Sequence, residues 1–200
     1  RLGVTFDETL GESFYNPQLP GLVEELQGKG IAELSEGAMV VRFPGDKQLA
    51  DKPAIVRKRD GAANYTTTDL ATLRYRMETW SPTDIVYVTD GRQQLHFQQL
   101  FNIFGRWQES ASAKVEHVWF GSILGPDGKP FKTRSGETVR LADLLDEAEE
   151  RALAVVSEKN PDLPDAERRE IARVVGLGAL KYADLSNNRQ SDYIFDWDKM

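Results

Sequence analysis

The 200-residue chain contains no cysteine, only two histidines and no long uninterrupted run of apolar residues. The absence of cysteine excludes a disulfide framework and cysteine-based zinc sites, and it is compatible with a reducing compartment. Two histidines do not favour a histidine-rich metal site, so no metal-binding residues are predicted. No segment approaches the roughly 18 apolar residues of a membrane span, and the first residues lack the pattern of a secretory signal. We therefore predict a cytoplasmic protein without a membrane partner.

Acidic residues outnumber basic ones, 32 against 25, which gives a formal net charge of −7. Nucleic-acid affinity comes largely from lysine and arginine side chains that neutralise phosphates, so a general nucleic-acid binder is not expected. Any such contact has to be local. The chain begins at Arg1 and stops at Met200, directly after a polar-aromatic run, and we interpret it as a segment of a longer protein.

Against this acidic background, cations concentrate in one short stretch between residues 126 and 136. Its turn signal, Pro126-Asp127-Gly128, is followed by two lysines, an arginine and two hydroxyl side chains: Lys129, Lys132, Thr133, Arg134 and Ser135. Cations and hydroxyls placed just past a predicted strand favour an anion-binding loop, and a polyphosphate is the expected ligand. The alternative is a basic loop that only faces solvent.

The hydrophobic periodicity predicts an α/β fold. A short helix over 18–27 and two β-hairpins come first, the second hairpin turning at Asp60-Gly61. Helix and strand then alternate, with the predicted elements at 66–80 (helix), 84–89 (buried strand), 91–106 (helix) and 115–120 (strand). Such alternation is typical of a doubly wound, mainly parallel sheet. Two further helices are predicted over 141–159 and 164–185, separated by Pro161 and Pro164.

Ligands of doubly wound folds bind beyond the carboxyl ends of the strands, so the residues that follow these strands are the first candidates. Asp90 to Gln93 follows one strand, and Phe120 to Ser122 follows the other. Before them, Tyr65 and Asp69 can face one pocket, and an ionised Asp69 can accept two hydrogen bonds from a guanidinium. Two alternatives stay open: Asp69 as a cap of its own helix, and His96 as an ordinary helix histidine rather than a nucleotide contact.

Five motifs together resemble the arginyl-tRNA synthetases, which are class I aminoacyl-tRNA synthetases. In chain order they are YTTTDLA from Tyr65, YVTDGRQQLH from Tyr87, HVWFG from His117, GKPFKTRSG from Gly128, and ALKYADLSNNR from Ala179 with the following FDWDKM. Each motif is weak by itself. Five motifs in the family's order form a specific signal over essentially the whole chain.

The resemblance implies an enzyme that makes arginyl-adenylate from arginine and ATP, with Mg²⁺ accompanying the ATP, and then transfers the arginyl group to tRNA(Arg). It implies arginine contacts at Tyr65, Asp69 and Gln93. It also implies that the 126–136 stretch is the family's variant of the Lys-Met-Ser-Lys-Ser activation loop, in which Lys132 and Arg134 are catalytic. The implied ATP-binding residues are His96, Phe120, Gly121, Lys129, Lys132 and Thr133.

The chain also departs from the family pattern. The His-Val-Gly-His signature, the first half of the nucleotide-binding fold and the anticodon-binding domain are absent from these residues. The chain is therefore interpreted as the second half of a Rossmann-type fold with a β-hairpin insertion and a C-terminal helical segment. Its predicted divisions are 1–64 for the insertion, 65–136 for the nucleotide fold and 137–200 for an incomplete tRNA stem-contact region. The alternative is a non-catalytic, synthetase-like binding module.

Overall fold

The computed structural model describes residues 1–108, 113–125, 127–129 and 139–197. In these ranges the α-helices are α1 (Leu19–Gly28), α2 (Tyr65–Trp80), α3 (Gln94–Trp107), α4 (Leu141–Lys159) and α5 (Asp165–Leu185). The strands are β1 (Glu33–Ser35), β2 (Ala38–Val41), β3 (Ala54–Arg57), β4 (Asp84–Asp90), β5 (Lys114–Phe120), β6 (Ile123–Leu124) and β7 (Tyr193–Ile194). Short 3-10 helices precede α1 at Glu12–Gln18 and α3 at Gly91–Gln93.

The chain divides into two compact units. The N-terminal unit is Thr5–Val118, and the C-terminal unit is Trp119–Met200 together with Arg1–Val4. Helices and parallel strand pairs occur together, so the predicted α/β class is confirmed. The helices predicted over 141–159 and 164–185 are present as α4 and α5.

The N-terminal unit contains a three-stranded antiparallel sheet in the order β1-β2-β3. The second predicted hairpin is present in a short form: the segment after the Asp60-Gly61 turn returns against β3 through an antiparallel bridge between Arg57 and Ala63. β3 also pairs with β2, so the two predicted hairpins share one sheet. The return strand stays this short because the chain enters α2 at Tyr65.

Helix α2 is capped by Asn64, whose side chain accepts a hydrogen bond from the Tyr65 backbone N–H at 3.0 Å. Three threonines, Thr66, Thr67 and Thr68, lie inside the first turn of the helix and are buried. The Thr67 hydroxyl donates to the Val56 carbonyl of β3, which satisfies a buried polar group and joins the helix to the sheet.

One hydrophobic core serves the whole N-terminal unit. It includes Leu22 and Leu26 of α1, Val41 and Val56 of the sheet, and side chains of α2 and α3 such as Leu70, Leu73, Leu100 and Ile103. The β-rich segment is thus part of this core. At its edge, Trp107 Nε1 donates to Glu25 Oε1 at 2.7 Å, and the Arg74 guanidinium lies over the Trp107 ring.

Strands β4 and β5 form a two-stranded sheet with α3 between them in the chain. The Lys114 N–H at the start of β5 donates to the Thr83 carbonyl just before β4, so the two strands start side by side and run parallel. β4 was predicted to be buried, and this is wrong. Ile85 is buried, but Val86 is 52% exposed and Val88 62% exposed, because one face of the strand points away from the core.

The C-terminal unit is built on the antiparallel neighbours α4 and α5. They approach closely at Gly176, where an added Cβ would lie 2.5 Å from the Ala148 carbonyl oxygen. The parallel pair of β6 and β7 was not predicted, and the residue after β7, Phe195, is buried in the core of this unit. Arg1 forms salt bridges with Asp146 and Glu149 of α4. Across the described part of the chain, no helix is both long and apolar enough to cross a membrane.

Candidate active site

Helix α2 presents Tyr65 and Asp69 on one face, because residues four apart are neighbours on a helix surface. Asp69 is the fifth residue of the helix, and the first turn contains no acidic residue. The side chain that caps the helix is Asn64. The interpretation of Asp69 as a cap of its own helix is therefore wrong, and its carboxylate requires another explanation.

The carboxylate of Asp69 contacts His96 of α3. His96 Nε2 lies 2.6 Å from Asp69 Oδ2, and the two side chains are 11% and 31% exposed, respectively. The Tyr65 ring packs edge-on against the His96 ring, with centroids 4.7 Å apart. Tyr65 itself is 57% exposed. The structure thus brings together three predicted site residues from two helices: a partly open carboxylate, an imidazole and a phenol.

Tyr87 of β4 is a neighbour of this group that the sequence did not single out as a site residue. Its hydroxyl is buried and has no hydrogen-bond partner among the described residues. Burial raises the pKa of the phenol well above its usual range; the Arg76 guanidinium opposes this shift, and the negative charge of Asp69 reinforces it. Arg76 lies over the Tyr87 ring, 5.1 Å from its centroid. The sequence did indicate its position, because side chains of a strand alternate between two faces and Tyr87, two residues after the buried Ile85, lies on the same face.

Below these groups lies an aromatic layer centred on Phe97. Its ring centroid is 5.0 Å from that of His96, 4.9 Å from that of Tyr87 and 4.3 Å from that of His117. Such packing restricts the rings to a few rotamers. A carboxylate beside fixed aromatic rings suits a planar cation, which can hydrogen-bond to the carboxylate and lie against a ring face.

Gln93 ends the 3-10 helix that precedes α3, and it is exposed. The turn itself is held by Asp90, whose carboxylate accepts from the Arg92 backbone N–H at 2.8 Å and from the Arg92 side chain. No hydrogen bond of the Gln93 side chain is found among the described residues. Its amide therefore remains available to a ligand at the carboxyl end of β4.

Phe120 ends β5, Gly121 follows it, and both belong to the C-terminal unit. The Gly121 N–H donates to the Arg189 carbonyl at 2.9 Å, and the Arg189 guanidinium donates to the Trp119 carbonyl. An added Cβ at Gly121 would lie 2.4 Å from the backbone of Ser191. Packing of the chain against itself thus accounts for this glycine. The Phe120 side chain is 41% exposed and remains available to a ligand.

The cationic stretch is described only in part. Gly128 has φ +70°, as the predicted turn requires, and the Gly125 N–H donates to the Lys129 carbonyl at 2.7 Å. The Lys129 side chain is exposed. Lys132, Thr133 and Arg134 lie outside the described residues, so their predicted roles stay predictions. Within the described ranges, no group of three or more histidine, aspartate or glutamate side chains is arranged to hold a metal ion.

The C-terminal unit has a groove of its own along α5 and β7, with a volume of about 560 Å³. Tyr182, Ile194 and Phe195 line it together with small residues such as Gly178 and Ala183, and Asp196 is the charged side chain among the described lining residues. Phosphates bind to cations or backbone N–H groups, so this lining does not favour a phosphate.

Comparison with known proteins gives a consistent result. A family model described as tRNA synthetases class I (R), catalytic domain, matches residues 1–197. The chain is 53% identical over 202 residues to an arginine–tRNA ligase of Chromobacterium violaceum, covering all of this chain and 35% of that protein. It is 52% identical over 205 residues to an arginine–tRNA ligase of Escherichia coli, of which it covers 36%. The chain thus spans about a third of the length of these relatives.

Solved structures agree in fold. The crystal structure of arginyl-tRNA synthetase from Plasmodium falciparum superposes with a TM-score of 0.79 at 28% identity, covering 98% of this chain and 32% of that one. The Thermus thermophilus arginyl-tRNA synthetase superposes with a TM-score of 0.73 at 22% identity, covering 92% of this chain and 36% of that one.

Proposed function

The chain belongs to the class I tRNA synthetase (R) catalytic-domain family, and on that premise we propose that it is the arginine-binding part of an arginine–tRNA ligase. The whole enzyme would make arginyl-adenylate from arginine and ATP and pass the arginyl group to tRNA(Arg), in the cytoplasm where proteins are made. The observation that carries the proposal is the Asp69 carboxylate, held by His96 and flanked by Tyr65.

In this proposal Asp69 binds the arginine side chain. A guanidinium is planar, always charged and has only donors, so its natural partner is a carboxylate with a free oxygen. Asp69 has Oδ2 engaged by His96, which leaves Oδ1 for the substrate. Tyr65 would contact the substrate with its exposed ring or hydroxyl, and Gln93 would contact the α-amino end with its amide.

ATP would bind at the carboxyl end of β5, where Phe120 is exposed for contact with adenine. Lys129, Lys132, Thr133 and Arg134 would contact the phosphates, and Mg²⁺ would accompany the ATP. His96 was predicted to contact ATP as well, although its Nε2 atom is engaged by Asp69. In the finer fold assignment, residues 65–136 are the second half of a Rossmann-type domain, with 1–64 as an insertion and 137–200 as a stem-contact region for tRNA. Nothing in the relatives' names supports the alternative of a non-catalytic binding module.

The test is an Asp69→Asn substitution in the full-length enzyme. Loss of one partner of a charged hydrogen-bonded pair costs about 2–5 kcal/mol, which corresponds to a rise in the KM for arginine of roughly thirtyfold to several thousandfold. The KM for ATP should stay near the wild-type value. Arginine-dependent exchange of pyrophosphate into ATP measures both constants.

Glu78→Gln is the matched control, since it makes the same carboxylate-to-amide change at an exposed position of the same helix. It should leave both KM values unchanged. An Asp69→Asn enzyme with a wild-type KM for arginine would contradict the assignment of the arginine side chain to Asp69.

A further inference from the structure

We infer that His96 is a positioning residue for the arginine pocket: it holds the Asp69 carboxylate in the orientation that receives the guanidinium. This inference rests on the proposed function, because it takes Asp69 as the substrate's partner. It assigns His96 to the arginine side of the site, whereas the family resemblance suggested a contact with ATP.

The first argument is geometric. The two residues are 27 positions apart in sequence, and their contact joins α2 to α3 with 2.6 Å between His96 Nε2 and Asp69 Oδ2. The imidazole is nearly enclosed, with 11% of its side chain exposed. Tyr65 covers one edge of the ring and Phe97 packs against it on another side. His96 therefore has little freedom to turn away towards another ligand.

The second argument concerns the proton on the imidazole. His96 Nδ1 is buried and has no partner among the described residues. A proton on Nδ1 would be a buried donor without an acceptor, which costs more than leaving a bare lone pair. The neutral tautomer with its hydrogen on Nε2 fits this environment. In that form His96 donates to Asp69 Oδ2, and the carboxylate remains the acceptor.

The two carboxylate oxygens of Asp69 therefore have different partners. Oδ2 is taken by His96, and this bond fixes the side-chain torsions of Asp69. Oδ1 is left to accept from the substrate. A partner that orients a ligand-binding carboxylate in advance lowers the cost of ordering it when the substrate binds. Removal of His96 should thus weaken arginine binding although His96 does not touch arginine.

Two substitutions separate the hydrogen bond from the ring packing. His96→Phe keeps an aromatic ring against Tyr65 and Phe97 but removes the donor. His96→Gln removes the ring but places an amide N–H close to the position of Nε2. In the full-length enzyme, His96→Phe should raise the KM for arginine about ten- to a hundredfold, as expected for a hydrogen bond to a charged group. The KM for ATP should not change, and His96→Gln should restore most of the arginine affinity.

The double variant tests whether His96 acts through Asp69. Adding His96→Phe to Asp69→Asn should produce no further rise in the KM for arginine, because the orientation of a carboxylate that is no longer present cannot matter. Gln98→Ala, an exposed position two residues along α3 and on another side of the helix, is the control and should leave both KM values unchanged.

Several results would overturn the inference. They are a wild-type KM for arginine in His96→Phe, a rise in the KM for ATP alone, or full additivity with Asp69→Asn. If His96→Phe does not fold, His96→Gln decides: near wild-type arginine affinity supports the inference, and a large loss refutes it. Failure of the proposed function is distinguishable, because Asp69→Asn alone would then leave the KM for arginine unchanged.

Discussion

The close approach of α4 and α5 at Gly176 allows a stability prediction with an internal control. In a Gly176→Ala variant the new Cβ would lie 2.5 Å from the Ala148 carbonyl oxygen, 2.8 Å from its carbon and 3.0 Å from the Glu149 nitrogen. All three are backbone atoms, so no flexible side chain can move aside. Ordinary contacts begin near 3.4 Å, and the helices must therefore separate by several tenths of an ångström or more at this point.

Overpacking of this kind typically costs about 1–3 kcal/mol. Gly178, two residues further along α5, is exposed, and among the described residues an added Cβ there would meet no heavy atom within 4 Å beyond the backbone of its own helix. Gly178→Ala should therefore stabilise the helix by about 0.5–1 kcal/mol, because alanine loses less conformational freedom than glycine on entering a helix. Both variants gain the same helix propensity, so they should differ by the overpacking cost of about 1–3 kcal/mol, or roughly five- to a hundred-and-sixtyfold in the opening equilibrium of the helix pair.

Amide hydrogen exchange resolved to α4 and α5 measures this difference directly, even if the two units of the chain unfold separately. Gly176→Ala should exchange faster than the wild type in both helices, and Gly178→Ala should exchange at the same rate or more slowly. Equal exchange in the two variants would refute the reasoning, since it would mean that the helices are not in contact at Gly176.

The isolated 200-residue chain should not catalyse arginine-dependent pyrophosphate exchange. Transition-state stabilisation needs preorganised groups, and the His-Val-Gly-His signature is absent from this chain. Exchange above background by the purified chain would contradict this prediction. In the full-length enzyme, Lys132→Ala and Arg134→Ala should each lower kcat for adenylate formation far more than they raise the KM for ATP, since contacts made chiefly to the transition state act on the rate. A wild-type kcat in both variants would contradict the phosphate role and support the alternative that residues 126–136 form a basic loop that only faces solvent. Burial alone would raise the pKa of the Glu25 carboxyl, but hydrogen bonds from Trp107 and Lys29 outweigh it and hold that pKa below the usual 4.5, so the free energy of unfolding should decrease as the pH falls below about 4.5. The stabilising contribution of ionised Glu25 is fully present above its pKa in the unfolded chain, and it is lost as the pH falls through its lower pKa in the folded protein. Urea unfolding at several pH values measures this effect, and the free energy of unfolding should depend less on pH in Trp107→Phe than in the wild type. An unchanged pH dependence would exclude the hydrogen bond from Trp107 to Glu25 as its cause.

The long helices were predictable because their causes are local. The apolar residues of α4 recur at helical spacing, and Pro161 and Pro164 prevent its continuation into α5. The prediction of α4 over 141–159 is confirmed at both ends. Short elements were not predictable in this way. Strands β6 and β7 have two residues each and exist only because Ile123 and Tyr193, far apart in the chain, meet.

The second hairpin shows how tertiary contacts add to a local signal. Asp60-Gly61 does form a turn, and the Lys58 N–H donates to the Ala62 carbonyl across it. The sequence could not show that β3 would pair with β2, nor that the chain would enter α2 immediately afterwards with Asn64 as its cap. Capping depends on which polar side chain stands at the first non-helical position, and a run of Asn64 and three threonines offers four choices.

For the site, the sequence by itself determined the candidates, because five motifs in order resemble one family and three of the candidate residues have side chains suited to a cationic substrate. Only the tertiary structure decided how they act together. The contact of Asp69 with His96 joins residues 27 positions apart. The position of Asp69 beyond the first turn of α2, with Asn64 as the cap, excludes the helix-cap interpretation. The burial of the Tyr87 hydroxyl and the close backbone contact at Gly121 likewise could not be predicted from the sequence. Hydrogen bonds and steric exclusion depend on distances of a few ångströms between side chains, and those distances are set by the packing of helices and strands that are distant in sequence.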